Sequence, residues 1–407
     1  MASAVAGFVA VVAMVVGASS AYAVQPVRPG QWYLDSWKIE EAWTISQGEG
    51  VTVAVIDTGV DASHPDLVGQ VTEALSWPGY GNDHGTSLAS SIAGTGRGVS
   101  GQGVYGVAPK AKIDSYNVGL RDSLVMDPNK VVPAIRAAAD SPAKIINLSF
   151  GGGHFPSRDE AVAYAVSRGK LVVASAGNVE EYNQSISYPA SVPGVLGVGA
   201  YDQNGIAWTK TLAGYWVSLA APGADIVSAC DGPTRYCKAS GTSGSAALTS
   251  GVAALLWAKY PHYTANQIIR VLIDSANKPN VPVPNEYLGY GNVSPRNALN
   301  WTGDPGPPDV NPLIGKRGDM PTASPSAAAV GSQSPSPPPT SSEPSAQPPM
   351  SPVAAPPGEG RDSDSGVLLP VGIVVAGAAV LGGGVFLFVR SRGNRPGPPP
   401  VGGVPRG

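Results

Sequence analysis

The order of hydrophobic and polar residues predicts a chain of strands that alternate with helices. Apolar runs of strand length occur at residues 51–56, 111–118, 144–148, 171–174, 195–198 and 216–219. Helical patterns follow residue 84 and residue 243 and cover residues 157–168 and 264–276. Uninterrupted apolar strands separated by helices indicate a mostly parallel sheet with helices on both faces. The predicted fold class is therefore α/β.

Two of these helices carry a start signal. Ser157 with Glu160, and Thr264 with Gln267, have the spacing of a capping box. In that motif a hydroxyl and a carboxylate or amide side chain satisfy main-chain N–H groups reciprocally. We therefore predict that the two helices begin at Ser157 and Thr264.

The N-terminal 47 residues differ in composition from the predicted α/β region. Residues 1–23 are small and apolar and end in Ala-Tyr-Ala, which predicts a cleaved secretory signal peptide. An uncleaved anchor is the alternative. Residues 24–47 carry Trp32, Trp37 and Trp43 and are too short to fold alone. They are predicted to form an arm packed on the domain of residues 48–302.

The C-terminal region predicts a tether. Residues 303–366 are rich in Pro, Ser and Ala and predict a disordered linker. Residues 367–389 are uncharged and long enough for one C-terminal transmembrane helix. Arginines follow at once, so residues 390–407 are predicted to be a short cytoplasmic tail. The predicted location is the cell membrane, single-pass, with the folded domain extracellular.

Charge and cysteine content exclude several functions. The net charge is −3 and no basic stripe occurs, so nucleic acid is not an expected partner. The two cysteines, Cys230 and Cys237, form neither a disulfide scaffold nor a metal cluster. In an exported chain they predict one disulfide across a short loop, with two free thiols as the alternative. No metal or cofactor is predicted, and a structural calcium ion is left open.

Three polar residues stand where catalytic chemistry is expected. Asp57 ends the first apolar run, and the carboxyl ends of parallel strands are where α/β sheets place their sites. His84 and Ser243 each begin a small-residue helix. A serine nucleophile needs a base, and that base needs an acid to orient it. Taken alone, Asp57 is explained equally well as a helix cap or a buried hydrogen-bond acceptor, and Ser243 is explained better as an ordinary N-cap.

The motifs VAVIDTGVD, DHGTS and SGTSGS, in this order, resemble those of the subtilisin-like serine proteases, the subtilases. The resemblance covers about residues 48–300. It implies a subtilisin-like fold and a catalytic triad of Asp57, His84 and Ser243. His64, which lies in a turn before a proline, is interpreted as structural.

Two further segments support the resemblance. The SAGN sequence at 175–178 implies that Asn178 donates a hydrogen bond to the oxyanion. The NLSFG sequence at 147–151 resembles the strand that pairs with bound peptide, which implies a substrate-binding role for Ser149, Phe150 and Gly151. GVAP at 106–109 is also familiar from the family.

One departure concerns the residues after the nucleophile. Subtilases usually carry Met-Ala-Ala-Pro or a near variant there, whereas this chain has Gly244, Ser245 and two alanines. The change predicts looser packing beneath Ser243. It also leaves an alternative function, in which the chain is a catalytically weak subunit that stabilises a membrane secretion complex.

The order of signal peptide, aromatic arm, protease domain, Pro-rich linker and C-terminal membrane helix resembles the mycosins. These are membrane-anchored subtilases associated with type VII secretion. The resemblance implies an extracytoplasmic serine endopeptidase acting on protein or peptide substrates, with the cell membrane and the type VII secretion machinery as candidate partners. A general cell-surface subtilase is the alternative.

Overall fold

A seven-stranded parallel sheet forms the centre of the fold in the computed structural model. The structure describes residues 27–76, 83–98, 101–120, 123–179, 186–231 and 234–315. The strands of this sheet are β1 Thr52–Asp57, β2 Val71–Leu75, β3 Lys112–Asn117, β6 Ile145–Leu148, β7 Leu171–Ser175, β8 Leu196–Tyr201 and β9 Leu219–Pro222. Their order across the sheet is β2-β3-β1-β6-β7-β8-β9, and every neighbouring pair is parallel.

Two small antiparallel hairpins complete the strands. One joins β4 (Gly119–Leu120) to β5 (Ser123–Met126), and the other joins β10 (Ile226–Ala229) to β11 (Tyr236–Ala239). The sequence patterns did not predict either hairpin. In β11 three of the four residues are exposed, so no apolar run marks that strand.

Helices cover both faces of the sheet. They are α1 Trp32–Ser36, α2 Ile39–Trp43, α3 Asp83–Ala93, α4 Pro128–Asp140, α5 Pro156–Ser167, α6 Thr242–Lys259, α7 Ala265–Asp274 and α8 Pro295–Leu299. Alternate residues of a strand point to opposite faces. In β1, Val53 and Val55 accordingly join the core beneath α3 and α6, while Ala54 and Ile56 join the core beneath α4 and α5. The predicted α/β class with a mostly parallel sheet is confirmed.

Several predicted boundaries differ from the structure, and two of them have a clear local reason. Residues 216–218 precede β9 and do not belong to it, although Trp216 and Val217 are buried, because apolar side chains also fill the turn before the strand. Helix α5 begins at Pro156 and not at Ser157, since proline is well suited to a first helical position. Its N-cap, Phe155, makes no side-chain cap. The capping box at Thr264 is confirmed.

The N-terminal arm is packed into the same core as the sheet. Tyr33, Leu34 and Ile39 are fully buried. The indole N–H groups of three tryptophans donate to distant acceptors: Trp32 to the Ala224 carbonyl at 3.1 Å, Trp37 to the Tyr201 hydroxyl at 3.0 Å and Trp43 to the Val107 carbonyl at 2.8 Å. Large aromatic side chains with paired N–H groups contribute strongly to a core. Residues 27–47 are therefore part of the folded domain.

The folded region extends beyond residue 302, where the linker was predicted to begin. Asn266 donates to the Pro308 carbonyl at 3.0 Å, and Asn311 donates to the Gly194 carbonyl at 3.2 Å. Leu313 is 2% exposed and belongs to the main core. Residues 307–310 are exposed, but Pro308 is bonded to α7 and residues 311–313 are buried, so composition alone misplaced the boundary.

The remaining predictions for the C-terminal region fall on residues that the structure does not describe. These are the linker from residue 316, the membrane segment at 367–389 and the tail at 390–407. Among the helices that are described, none combines the length and apolar character needed to cross a bilayer.

Candidate active site

Asp57 and His84 are joined directly. His84 Nδ1 lies 2.8 Å from Asp57 Oδ1, and the Thr58 amide donates to the same oxygen at 2.7 Å. Asp57 is fully buried, whereas the His84 side chain is 26% exposed. A carboxylate can only accept, so the shared hydrogen is on Nδ1 and Nε2 is the nitrogen able to take up a proton. This arrangement orients an imidazole as a general base.

The turn after β1 brings α3 close enough for this bond. Gly59 has φ +91°, a conformation that favours glycine. A Cβ on Gly85 would lie 2.1 Å from the Gly59 carbonyl oxygen, so the DHG sequence permits an approach that a larger residue would block. The Gly85 amide donates to the Thr58 hydroxyl at 3.0 Å. The small residues beside His84 thus set its position against Asp57.

Ser243 lies in the first turn of α6 and contacts the residue that follows β6. Its hydroxyl donates to the Ser149 carbonyl at 2.9 Å, and the Ser149 hydroxyl donates to the Ser243 carbonyl, also at 2.9 Å. A serine hydroxyl has a single hydrogen. In this rotamer the hydrogen is directed to Ser149, and rotation about the Cα–Cβ bond redirects it.

The sheet order places the predicted residues along one edge. β1, β6 and β7 are adjacent and parallel, and they lead into Asp57, Ser149 and Asn178 respectively. The structure therefore brings Asp57 and His84 into contact. It also links Ser243 to Ser149, and both contacts lie at the carboxyl ends of these neighbouring strands. Open α/β sheets bind ligands at that edge.

Asn178 is anchored to the start of α6. Its side-chain oxygen accepts from the Thr242 amide at 3.1 Å and from the Thr242 hydroxyl at 3.0 Å. These bonds fix the orientation of the amide, so its Nδ2 group is the donor half. Nδ2 lies beside Gly241, 3.3 Å from where a Cβ on that glycine would be. A fixed donor near a serine nucleophile is the geometry that an oxyanion site requires.

The predicted peptide-binding segment has one side chain that cannot face substrate. Phe150 is 6% exposed and belongs to the core beneath α4 and α5. Ser149 is 2% exposed, while Gly151 is half-buried. A peptide meeting this segment would therefore contact mainly its main chain.

The unusual residues after Ser243 are well accommodated. Ser245 is fully buried, and its hydroxyl lies 3.2 Å from the Ala221 carbonyl and 3.1 Å from the Pro222 carbonyl. These contacts connect α6 to β9. A Cβ on Gly244 would meet Ile226 at 3.6 Å, an ordinary contact distance. The predicted loosening beneath Ser243 does not extend to Ser245, which is buried and hydrogen-bonded.

The disulfide predicted between Cys230 and Cys237 is present, with 5.8 Å between the Cα atoms. It links Cys230, which directly follows β10, to Cys237 in β11. The Cys230 amide also donates to the Arg235 carbonyl at 3.0 Å. The hairpin packs against α3, where the Ala229 amide donates to the Ser90 hydroxyl at 3.0 Å. The bridge thus stiffens an element beside the helix that carries His84.

His64 is fully buried beneath this hairpin. Its Nε2 lies 3.1 Å from the Arg235 carbonyl, and the Asp66 amide donates to its Nδ1 at 3.2 Å. The Asp66 carboxylate accepts from the amides of Gly98 and Val104 and from the Tyr236 hydroxyl. Both ring nitrogens therefore serve internal hydrogen bonds, in agreement with a structural role.

An ion pair borders this buried cluster. Arg235 donates to Asp61 at 2.5 Å. Partial burial raises the Asp61 pKa, but hydrogen bonds from Ser63 and from Arg235 outweigh it, and the pKa lies below its ordinary value. No local sequence pattern indicates this pair, because its members are far apart along the chain.

The polar residues behind the nucleophile were also missed. Thr242 fixes Asn178, and Asn147 connects Ser149 to Ser250 in α6. A lone asparagine in the apolar IINL sequence was the one available signal. Within the described parts of the chain, no three His, Cys, Asp or Glu side chains are grouped so that they could share a metal ion.

Curated proteases are similar to this chain over its folded region. Thermitase from Thermoactinomyces vulgaris is 35% identical over 268 residues, which cover 64% of this chain and 92% of thermitase. The thermophilic serine proteinase of Bacillus sp. (strain AK1) is also 35% identical, over 270 residues. That match covers 64% of this chain and 64% of the relative, so the similarity leaves a large part of each protein unmatched.

Solved structures of proteases are also similar to this chain. MycP1 from Mycobacterium smegmatis superposes with a TM-score of 0.58 at 29% identity and covers 69% of this chain and 86% of its own. The MycP3 protease from the type VII (ESX-3) secretion system has a TM-score of 0.58 at 31% identity and covers 67% and 88%. The sequence profile of the subtilase family matches residues 48–291, more than half of the chain. By its sequence and its fold, this chain belongs to the subtilase family.

Proposed function

We propose that this chain is a membrane-anchored, extracytoplasmic serine endopeptidase that works with a type VII secretion system. The peptidase activity in this proposal rests on the 2.8 Å bond between Asp57 and His84. Ser243 lies at the start of α6, at the same carboxyl edge of the sheet. Similarity to MycP1 and MycP3 supports the secretion context. The sequence of residues 367–389 supports the anchor and the extracellular location.

In the proposed mechanism, Ser243 Oγ attacks the carbonyl carbon of the peptide bond. His84 Nε2 takes the serine proton, and Asp57 stabilises the resulting imidazolium through Nδ1. Asn178 Nδ2 and the main-chain N–H of Ser243 hold the negative oxygen of the tetrahedral intermediate. His84 then returns the proton to the leaving amine, and water releases the acyl group from Ser243 by the same steps in reverse order.

The arm is proposed to remain in the active protein. Three tryptophan N–H groups and the buried Tyr33 hold it in the core, so its removal would expose a large apolar surface. N-terminal sequencing of the active protein tests this proposal. A start near Val24 or Gln25 supports a permanent arm. A start close to Val51 that depends on Ser243 contradicts it.

Labelling with a fluorophosphonate probe tests the peptidase assignment. The wild type and Ser240→Ala, a nearby exposed serine, should be labelled, and Ser243→Ala should not. Labelling that survives in Ser243→Ala would exclude Ser243 as the nucleophile. Absence of labelling in the folded wild type would favour the catalytically weak subunit.

A second experiment addresses the secretion context. We expect mass spectrometry of exported proteins to show a few substrates whose cleavage is lost in a Ser243→Ala strain. Broad loss of cleavage across unrelated surface proteins would favour a general cell-surface subtilase. If deletion of the whole protein stops secretion while Ser243→Ala leaves every protein uncleaved but secreted as before, the chain acts both as a peptidase and as a stabilising subunit.

A further inference from the structure

Asn147 is the one polar side chain in β6, which is buried along its whole length. An amide in such a place is strongly destabilising unless it is paired. Both halves of this amide are paired. Its Oδ1 accepts from the Ser250 hydroxyl at 3.0 Å, and its Nδ2 donates to the Ser149 hydroxyl at 2.9 Å. Neither bond is needed to form the strand, whose other residues are apolar.

The bond to Ser149 controls where that hydroxyl points. Ser149 Oγ accepts from Asn147, and its single hydrogen is then donated to the Ser243 carbonyl at 2.9 Å. Ser149 also supplies the carbonyl that accepts from Ser243 Oγ. Asn147 therefore acts on Ser243 through one intervening side chain.

The bond to Ser250 adds a second point of attachment. Ser243 and Ser250 are seven residues apart in α6, so they lie on the same face of the helix, roughly 10 Å apart along its axis. One face of α6 is thus tied to the end of β6 at both places. Two ties restrict the rotation and the sliding of the helix more than one would.

We propose that Asn147 is a positioning residue that holds the first turn of α6, and with it Ser243, in register with the end of β6. The proposal rests on the proposed peptidase function. Asn147 has no contact with substrate in this scheme, and it acts by keeping Ser243 within the small distance tolerance that catalysis requires.

The test compares Asn147→Leu with Thr249→Val in the full-length protein. Leucine keeps the size of the side chain and suits an apolar strand, but it removes both hydrogen bonds. Thr249 is equally buried in α6, and its hydroxyl donates to the Ser245 carbonyl of the same helix. We expect Asn147→Leu to lower kcat and the rate of fluorophosphonate labelling by about 10- to 100-fold, with KM changed by less than about two-fold. Thr249→Val should leave all three near the wild-type values.

Hydrogen exchange of the α6 amides provides a readout that does not depend on activity. In Asn147→Leu the amides of the first turn should exchange faster, while those near Lys259 at the far end of the helix should not change. Ser250→Ala removes one tie and should give a smaller effect of the same kind, which keeps the proposal testable if Asn147→Leu does not fold.

The outcomes separate the two proposals. Absence of labelling in the wild type would reject the peptidase function, yet the exchange data would still decide whether Asn147 holds α6. If Asn147→Leu and Ser250→Ala match Thr249→Val in both labelling rate and first-turn exchange, Asn147 has a packing role alone and the proposal is overturned.

Discussion

His84 and His64 each face an aspartate, but the two clusters use the imidazole in opposite ways. His84 is bonded to Asp57 through one nitrogen and keeps a quarter of its side chain exposed. His64 is fully buried, 3.9 Å from the Asp66 carboxylate, and bonds to main-chain groups through both nitrogens. A neighbouring carboxylate is therefore not enough to make a base; one ring nitrogen must also be presented outside the core.

The carboxylates of Asp66 and Asp57, which lie beside these two histidines, also differ in their hydrogen bonds. The Asp66 carboxylate accepts from Gly98, Val104 and Tyr236 and thereby connects three segments of the chain. Asp57 Oδ1 serves Thr58 and His84, while Oδ2 has no hydrogen-bond partner among the described residues. Because both carboxylate oxygens of Asp66 accept hydrogen bonds, this buried group stabilises the fold around it. Around Asp57 the carboxylate is directed mainly at the imidazole, as expected for a group that stabilises a transient positive charge.

The largest expected effect separates the two histidines by activity. We expect His84→Ala to lower kcat on the order of 10⁶-fold, because removal of the base disables the serine as well. The melting temperature should change little, since the ring is partly exposed. Peptide hydrolysis and differential scanning fluorimetry measure the two quantities. Residual activity above about one hundredth of the wild type would contradict a histidine base at this position.

Asn178 extends the comparison, because it is nearly as buried as His64 yet is assigned to the active site. We expect Asn178→Ala to lower kcat by about 10²–10³-fold through loss of an oxyanion donor. The Thr242 hydrogen bonds are lost as well, so stability should fall modestly. Thr242→Val separates the two effects: it removes the hydroxyl bond to Asn178 but keeps the Nδ2 donor. An Asn178→Ala enzyme with unchanged kcat would exclude this assignment.

His64→Ala should have the reverse profile of His84→Ala. Loss of two internal hydrogen bonds and of the ring leaves a cavity beneath the hairpin and should lower the free energy of unfolding by about 2–3 kcal/mol. The kcat of the folded fraction should stay close to that of the wild type. His262→Ala, at an exposed position, is the control and should change neither quantity. A large loss of kcat in folded His64→Ala would end the structural interpretation.

The smallest expected effect lies at the border of the buried cluster, in the ion pair of Asp61 and Arg235. The Asp61 pKa is lowered in the fold, so its ionisation stabilises the native state above its unfolded pKa of about 3.9 and loses that effect as pH falls through the lower folded value. Asp61→Asn should therefore cost at most about 1 kcal/mol at pH 7, because the pair is partly exposed.

Denaturant titrations of wild type and Asp61→Asn between pH 2 and pH 7 would measure this difference. The two curves should converge at the acidic end. A stability difference that is the same at pH 7 and at pH 2 would show that the Asp61 contribution is unrelated to its charge.

The sequence predicted the parts of the site that lie in contiguous motifs. Asp57, His84 and Ser243 each sit at a strand end or a helix start, where local pattern and chemistry coincide, and the parallel core followed from runs such as IINL. Other features depend on contacts that no local pattern encodes. Asn147 and Ser250 are 103 residues apart, and their roles emerge only when α6 is laid against β6.

Some helices and boundaries were missed for local reasons. Pro133 lies inside α4 and interrupts the pattern that would otherwise indicate that helix. The prolines near residue 308 resemble linker composition, although the Pro308 carbonyl accepts from Thr264 and Asn266 and Leu313 is buried. Proline lacks a main-chain N–H and has a fixed φ, and neither property indicates whether the segment is buried.

The arm tryptophans have a consequence for the order in which the chain acquires its structure. The groups that accept from Trp32 and Trp37 lie 192 and 164 residues later in the sequence, and Tyr33 reaches Val227, 194 residues away. The first segment of the domain to be synthesised therefore cannot dock until β8 and the β10 hairpin exist. Closing such long loops is slow. Until then the indoles stay exposed, so a chain interrupted before residue 224 presents an aromatic segment with nowhere to bind, which quality-control factors can recognise.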